Sequence, residues 1–160
     1  MEGIISYREA GKDDLSSIIS MIADDKLGKT RENYDPSNSI ELPQEYHLAF
    51  EKIDCDPNQE LIVALDENQE IIGTFQLTFI QYLTYQGGIR AQIEAVRIRS
   101  DKRGEGIGKS MFLWAIERAK ERKAHLLQLT TDKKRPEALA FYKGLGFAAS
   151  HEGMKLHFEQ

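Results

Sequence analysis

The sequence of 160 residues contains one cysteine, four prolines and no long run of apolar residues. A single cysteine, Cys55, cannot form an internal disulfide bond, which suits a reducing compartment, and we expect a cytoplasmic protein. A membrane-spanning helix needs about 20 consecutive apolar residues. No segment approaches that length, and the N-terminal residues lack the basic and apolar regions of a signal peptide. We therefore expect no membrane partner.

An excess of positive charge is also missing, as is any spacing typical of a metal site. The formal net charge is −5, which argues against a nucleic-acid partner. Cys55 lies between two aspartates whose negative charge disfavours its thiolate, so it is not a candidate nucleophile. The histidines stand alone rather than in metal-ligand spacing, and we expect no metal at any of them: His47, His125, His151 and His157.

The charge that is present is unevenly distributed along the chain. From Arg97 to Lys109 there are five basic and two acidic residues, whereas from Glu32 to Glu60 there are eight acidic residues and one basic residue. We call residues 32–60 the acidic segment. An acidic segment and a basic loop fit two ligands of opposite charge, although each charge alone is also typical of solvated surface.

Hydrophobic periodicity and turn residues predict one domain, residues 1–160, with the element order β-α-α-β-β-β-α-β-α-β-β. The early strands form antiparallel hairpins, and one late strand–helix–strand crossover is parallel and right-handed. The fold class is therefore a mixed, mostly antiparallel α/β sheet flanked by helices. The predicted strands are 4–8, 61–65, 71–80, 91–99, 125–131, 147–150 and 154–158, and the helices begin at Asp13 (ending at Gly28), Pro43, Ile107 and Pro136.

The loop between the fourth strand and the helix from Ile107 to Arg122 has the composition of an anion site. Glycine permits positive φ and close approach of a ligand to the backbone. The helix start presents unpaired N–H groups and partial positive charge to a phosphate or pyrophosphate. A tight turn without a ligand is the alternative. The loop and the start of the helix consist of Arg103, Gly104, Glu105, Gly106, Ile107, Gly108 and Lys109.

Two other nucleotide loops do not fit this segment. The ATP-type loop requires Gly, four residues and then Gly-Lys-Ser/Thr, and only three residues separate Gly104 from Gly108. The dinucleotide fingerprint Gly-x-Gly-x-x-Gly follows the first strand of a βαβ unit. Here the glycines follow the fourth strand, after antiparallel hairpins, and their spacing is different.

The loop resembles the coenzyme A-binding motif of the GNAT acetyltransferase superfamily, Arg/Gln-x-x-Gly-x-Gly/Ala, with Arg103, Gly106 and Gly108 in register. Residues 138–147, Ala-Leu-Ala-Phe-Tyr-Lys-Gly-Leu-Gly-Phe, resemble the second signature of that superfamily, Ala-x-x-Phe-Tyr-x-x-x-Gly-Phe. Residues 92–158 look most similar to a bacterial group that includes aminoalkylphosphonate acetyltransferases. Seven residues before the tyrosine, many members carry an asparagine that bonds the pantetheine arm or a nearby water. This chain has Arg135 at that position, so we do not transfer the role of the asparagine to it.

The resemblance implies an N-acetyltransferase that moves acetyl from acetyl-CoA directly to a primary amine. The glycine loop, from Arg103 to Lys109, would hold the cofactor phosphates. Backbone N–H groups of Val96, Arg97 and Ile98 would polarise the thioester carbonyl and pair with the pantetheine arm. In the family this strand splays from the following one, and the arm enters the gap.

Two side chains are candidate acid and base. Tyr142 matches the signature tyrosine. The ordinary pKa of tyrosine, about 10, lies only somewhat above that of a thiol, about 8.5, so proton transfer to the departing thiolate is feasible in the transition state. Packing against the core is its alternative role. Glu94 is the candidate base, because regular alternation puts residues 94, 96 and 98 on one face, where Val96 and Ile98 are apolar. A solvent-facing glutamate is the alternative, and carboxylates of the acidic segment compete for the role.

The identity of the acceptor stays open at this level. The acidic segment favours a small cationic amine, whereas the phosphonate-type likeness favours an anionic amine held by Arg135, Lys133 or Arg99. A peptide or protein amine is a further possibility. A coenzyme A-binding sensor or partner-binding domain without turnover is the non-enzymatic alternative, because fold alone does not determine function. Homodimerisation occurs in relatives, and nothing in the sequence decides it.

Overall fold

The computed structural model describes residues 3–25, 31–32, 34–38 and 41–159. The chain separates into two compact units, Met1–Gln128 and Leu129–Gln160. The first unit contains a five-stranded sheet with helices packed against it, and the second contains a helix and an irregular segment. The predicted mixed α/β class is confirmed, while the single domain of residues 1–160 stays a prediction. No helix in the described parts of the chain has the length and apolar character needed to cross a bilayer.

The sheet has the strand order β1-β2-β3-β4-β5. Neighbouring strands are antiparallel except β4 and β5, which are parallel, as the late crossover predicted. The predicted helix end at Gly28 lies outside the described residues. The elements are β1 (Ser6–Glu9), α1 (Leu15–Ala23), α2 (Gln44–Asp54), β2 (Gln59–Leu65), β3 (Ile71–Gln81), β4 (Ile89–Ile98), α3 (Ile107–Glu121), β5 (Ala124–Gln128) and α4 (Pro136–Gly144).

The final two strands of the predicted order, 147–150 and 154–158, are not formed. Residues 147–159 have no regular secondary structure. Alternating apolar and polar residues produced the strand pattern, and its apolar members Met154, Leu156 and Phe158 are 93, 81 and 82% exposed. A strand is stable only when a neighbouring strand completes its hydrogen bonds. The described part of the second unit contains no strand to do so.

The sheet separates two layers of helix. A buried cluster on one face joins α1, α2 and β2 through Leu15, Ile18, Ile19, Phe50 and Val63, among others. Val63 pairs with Thr74 of β3, so Thr74 lies on this face. The next residue, Phe75, lies on the other face, where its ring centroid is 5.9 Å from that of Trp114 on α3.

Helix α3 packs closely because its buried residues recur every three to four positions. Ile107, Met111, Phe112, Ala115 and Ala119 are buried, whereas Leu113 is 50% exposed. Gly73 of β3, which has no side chain, permits the close approach of α3 to the sheet. A methyl group there would lie 2.8 Å from Met111 Sδ and 3.1 Å from the Arg97 carbonyl oxygen.

An ion cluster on the α3 face joins β2 to α3. Glu60 is 4% exposed and accepts hydrogen bonds from Arg118 Nε at 2.9 Å and Nη2 at 2.7 Å. Arg122 donates to the same carboxylate. Burial alone would raise the pKa of Glu60, but the hydrogen bonds and charges of the two arginines outweigh it, and the pKa lies below its ordinary value. Glu60 is therefore stabilised as the charged carboxylate in the folded protein.

We expect Glu60→Gln to lower the free energy of unfolding by about 3 kcal/mol at pH 7, because it leaves two arginines without their shared carboxylate. The folded pKa of Glu60 is lowered. Its contribution is therefore fully present above the unfolded pKa of about 4.3 and is lost as pH falls through the folded value. Urea unfolding of both proteins at pH 7 and pH 3 measures the difference.

Glu117→Gln on the same helix is the matched control. Glu117 is 67% exposed and pairs with the equally exposed Lys120, so its loss should change the free energy of unfolding by less than about 0.5 kcal/mol. An equal loss of stability in wild type and Glu60→Gln between pH 7 and pH 3 would contradict the assignment to Glu60.

Candidate active site

The fourth strand contains a β-bulge. Gln76 pairs with Glu94 and Thr74 pairs with Arg97, so Ala95 and Val96 together lie opposite the single residue between those two positions of β3. Ala95 has a φ of +53°, in the left-handed region that residues with a Cβ seldom adopt. The extra residue reverses the in-and-out alternation of the side chains that follow it.

The bulge places Glu94 on a different face from the one that regular alternation predicted. Residues paired across antiparallel strands share a face. Glu94 and Arg97 therefore lie with Gln76 and Thr74 on the α1–α2 side, whereas Ile98 pairs with Gly73 on the α3 side. Glu94 is exposed. The prediction that Glu94 shares a buried apolar face with Ile98 was wrong, and its role as base stays a prediction.

Amide side chains that the sequence analysis missed lie beside Glu94. Gln92 Nε2 donates to Glu94 Oε1 at 2.7 Å, and Gln128 Nε2 donates to Gln92 Oε1 at 2.9 Å. On β3, Gln76 Nε2 donates to Gln59 Oε1 at 2.6 Å. The available signal was the i, i+2 spacing of Gln92 and Glu94, because strand residues two apart share a face.

The ladder between β4 and β5 ends beside Glu94. Its pairs run from Ile89–Ala124 to Gln92–Gln128, while β4 itself continues to Ile98. Beyond that last pair the two strands no longer form a ladder. The bulge and the segment 96–98 thus lie on the part of β4 that extends past β5, where the resemblance places the pantetheine arm.

The glycine loop forms an open cradle at the start of α3. Gly104 and Gly106 have φ of +85° and +79°, and a Cβ at either would have no atom within 4 Å. Gly106 is the N-cap of α3, and no side chain caps the helix. The first-turn N–H groups, at Ile107, Gly108 and Lys109, have no intrahelical carbonyl partner. An open, uncapped helix start of this kind fits a pyrophosphate.

Arg103 connects this loop to the end of α1. Its Nη2 donates to the main-chain oxygen of Asp24 at 3.1 Å, and its Nε donates to the Ile98 carbonyl at 3.3 Å. The Arg103 side chain remains 52% exposed. Lys102 lies 4.0 Å from Glu105 across the same turn. Lys102 and Arg103 therefore flank the glycine loop, each near an acidic side chain and each with part of its surface in solvent.

Three carboxylates in the described part of the acidic segment are bonded to separate partners. Glu60 lies on the α3 face with its two arginines, and Asp56 bonds Gln59 at 3.0 Å. Glu32 accepts from the Tyr46 hydroxyl at 2.8 Å. Burial, followed by this hydrogen bond, raises the pKa of Tyr46 to about 12. The structure thus weakens the argument that these carboxylates jointly attract a cation.

Near the bulge, Arg97 pairs with Asp25, which follows α1, with Nη2 3.3 Å from the Asp25 carboxylate. Arg99 is bonded by Asp101 at 2.7 Å and by Glu70 at 3.2 Å. The hydrogen bond to Asp101 contributes most to raising the pKa of Arg99, and the hydrogen bond to Glu70 adds to it. Arg99 is therefore engaged in structure rather than held ready for an anionic acceptor.

Tyr142 lies on α4 in the second unit. Its ring meets those of Phe141 and Phe147 edge-on, with centroids 5.6 and 6.2 Å away. The helix ends at Gly144, and Gly146, two residues later, has a φ of +96°. The Phe147 N–H donates back to the Tyr142 carbonyl at 3.1 Å. Arg135 occupies the N-cap position before Pro136. The role of Tyr142 as an acid stays a prediction.

Residues 27–147 match the family model described as the acetyltransferase (GNAT) family. The chain belongs to this family. GNAT proteins are acyltransferases whose acetyl donor is acetyl-CoA, so the predicted family and enzyme class are confirmed. Within the described residues, no group of three or more His, Cys, Asp or Glu side chains is arranged to hold a metal ion.

Similar proteins include acetyltransferases and a protein named as a transcriptional regulator. The aminoalkylphosphonate N-acetyltransferase of Salmonella typhimurium is 28% identical, over 92% of this chain and 88% of its own length. A structure from Clostridium acetobutylicum, named as an acetyltransferase with acetyl-CoA, is 28% identical with a TM-score of 0.69 and 96% coverage of both chains. A structure from Bacillus halodurans C-125, named as a transcriptional regulator, is 55% identical with a TM-score of 0.89; it covers 97% of this chain and 100% of its own.

We expect Ala95→Gly to be neutral or to raise the free energy of unfolding by up to about 1 kcal/mol, because glycine adopts the positive φ without strain. Ala91→Gly on the same strand should instead lower it by about 1 kcal/mol or more, since Ala91 is fully buried at an ordinary strand position. Urea unfolding measures both variants. Equal destabilisation would contradict a strained bulge at Ala95.

Proposed function

We propose that this GNAT protein transfers acetyl from acetyl-CoA directly to the primary amine of a small acceptor, with Glu94 as general base and Tyr142 as general acid. The supporting observation is the position of Glu94. It lies beside the bulge, two residues past the last β4–β5 pair, on the strand that leads into the uncapped glycine loop. A base at that point lies where the resemblance places the reacting end of the cofactor.

The cofactor phosphates are proposed to bind in the cradle of Gly104 and Gly106. The first-turn N–H groups of α3 would donate to the pyrophosphate, and Arg103 and Lys109 would supply charge. The family match and the open space above both glycines support this assignment. The backbone of Val96, Arg97 and Ile98 is proposed to pair with the pantetheine arm.

The proposed reaction forms one bond and breaks another. An ammonium has no lone pair, so the acceptor must first give a proton to Glu94, directly or through water. Its nitrogen then attacks the thioester carbonyl, which backbone N–H groups near Val96 polarise as negative charge develops on the oxygen. The carbon–nitrogen bond forms, the carbon–sulfur bond then breaks, and Tyr142 gives its proton to the departing thiolate. The second proton lost by the attacking nitrogen returns, through water, to the Tyr142 oxygen.

A small amine that also carries an acidic group is the acceptor class best supported. The name of the Salmonella typhimurium relative indicates such an acceptor for that protein. The competing cationic class rested on the acidic segment, of which Glu60 and Glu32 are already bonded to partners within the fold. A peptide or protein amine is the remaining class. Aminophosphonates therefore come first in an acceptor panel.

One observation supports the non-enzymatic alternative. The 55% identical protein from Bacillus halodurans C-125 is named as a transcriptional regulator, which fits a coenzyme A sensor or partner-binding domain without turnover. The net charge of −5 argues against direct contact of this chain with DNA. A cytoplasmic location and a homodimer both stay predictions.

Gly106→Val is expected to weaken acetyl-CoA binding at least about tenfold. The side chain would occupy the open cradle, and a β-branched residue is strained at a φ of +79°. Isothermal titration calorimetry measures the Kd. Gly87→Val is the matched control, because Gly87 has a similar φ of +77° in the β3–β4 connection, away from the cradle. Equal Kd values for the two variants would place the cofactor elsewhere.

Thiol release in the presence of acetyl-CoA and an amine panel tests turnover. We expect Glu94→Gln to lower kcat about 100-fold and Tyr142→Phe about 10-fold, with the Kd for acetyl-CoA nearly unchanged, because both act on proton transfer. Release that survives either variant would remove that residue from the mechanism. Cofactor binding without release for any amine would favour the sensor, and absence of binding would overturn both proposals.

A further inference from the structure

Two glutamines connect the candidate base to the neighbouring strand. Gln128 on β5 donates to Gln92 on β4, and Gln92 donates in turn to Glu94, through hydrogen bonds of 2.9 and 2.7 Å. Gln92 and Gln128 are also the last paired residues of the β4–β5 ladder. The connection therefore spans the two strands at the point where their pairing ends.

This connection fixes the direction of the Gln92 amide. A primary amide has one oxygen, which accepts, and one NH₂ group, which donates. Because Gln128 donates to the Gln92 oxygen, the Gln92 NH₂ group is directed to Glu94 Oε1. Because Oε1 already accepts this hydrogen bond, the second oxygen of the carboxylate, Oε2, is the more available of the two for a proton from the acceptor amine.

The exposure of Glu94 explains why a hydrogen bond that holds its carboxylate matters. Glu94 is exposed, whereas Gln92 and Gln128 are half-buried. An exposed glutamate samples several rotamers, and holding one of them costs conformational entropy before any proton is transferred. A hydrogen bond from a half-buried amide on the same face reduces that loss and keeps the carboxylate in one orientation.

We propose that Gln92 is a positioning residue for the catalytic base: supported by Gln128, it holds Glu94 so that Oε2 receives the proton of the acceptor amine. This inference rests on the proposed function, since it requires Glu94 to act as the base. Gln92 itself touches neither acceptor nor cofactor in this scheme and acts only through Glu94. Its removal should therefore affect kcat and leave acetyl-CoA binding alone.

A double-mutant cycle tests the inference with steady-state thiol release. The variants are Gln92→Leu, Gln128→Leu, Glu94→Gln and the double variant Gln92→Leu/Glu94→Gln. Gln59→Leu is the control: Gln59 is half-buried on the same face and accepts from Gln76 instead of reaching Glu94. Circular dichroism melting and the Kd for acetyl-CoA show whether each variant is folded and loaded.

We expect Gln92→Leu to lower kcat about tenfold, which is the usual effect of losing a hydrogen bond to a charged group. Gln128→Leu should lower kcat about threefold, because it frees the Gln92 amide without removing it. In the Glu94→Gln background, Gln92→Leu should have no further effect, since the carboxylate it positions is gone. Gln59→Leu should stay within about twofold of wild type.

Acceptor basicity gives a second readout that a structural role would not change. An amine that is already neutral at the assay pH does not need Glu94 to take a proton before it attacks, so Gln92→Leu should affect a weakly basic amine much less than a strongly basic one. If Gln92→Leu does not fold, Gln128→Leu alone decides the question by the same comparison.

The outcomes separate the inference from the proposed function. A tenfold effect of Gln92→Leu that persists unchanged in the Glu94→Gln background, or that is equal for both kinds of amine, overturns the positioning role while leaving the enzyme intact. An unchanged kcat in Glu94→Gln would show that Glu94 is not the base, which overturns the positioning role of Gln92 as well. Absence of wild-type turnover overturns the proposed function, and the positioning role with it.

Discussion

Strand β4 has one residue more than its partner β3 over the stretch from Glu94 to Arg97, and the arrangement of the candidate site depends on how the chain accommodates it. The chain accommodates the extra residue because Ala95 adopts a left-handed conformation, with a φ of +53°. Without the bulge, in a regular strand of the same sequence, Glu94 and Arg97 would project from opposite faces, because strand side chains alternate. With it, both project on the side of α1 and α2, and Gln92 lies on the same face as Glu94.

The two faces of the sheet consequently have different roles. The α3 face is closely packed, with Gly73 beneath Met111 and Glu60 enclosed by Arg118 and Arg122. The α1–α2 face combines an apolar cluster near β1 and β2 with half-buried amides and exposed Glu94 towards β4 and β5. A rigid layer thus supports the strand from one side while polar groups are presented on the other, as a preorganised site requires.

Local signals in the sequence predicted much of the fold. Helix α3 was expected at 107–122 and is found at Ile107–Glu121, and the turn glycines before it have the positive φ that they suggested. The face of Glu94 could not be predicted, because alanine gives no sign of a left-handed residue. The ion pairs of Glu60 with Arg118 and Arg122 could not be predicted either, since these partners lie 58 and 62 residues away along the chain. The alternation at 154–158 gave a strand pattern, but periodicity does not supply the neighbour that a strand needs.

The Glu60 cluster also affects how the protein responds to heat. Hydration of charged groups becomes less favourable as temperature rises, so the cost of keeping a carboxylate and two guanidinium groups out of water decreases on warming. Apolar contacts gain no comparable advantage, because hydrophobic stabilisation levels off in the same range. The junction of β2 with α3 is therefore expected to lose less of its strength on warming than the apolar cluster under α1 and α2.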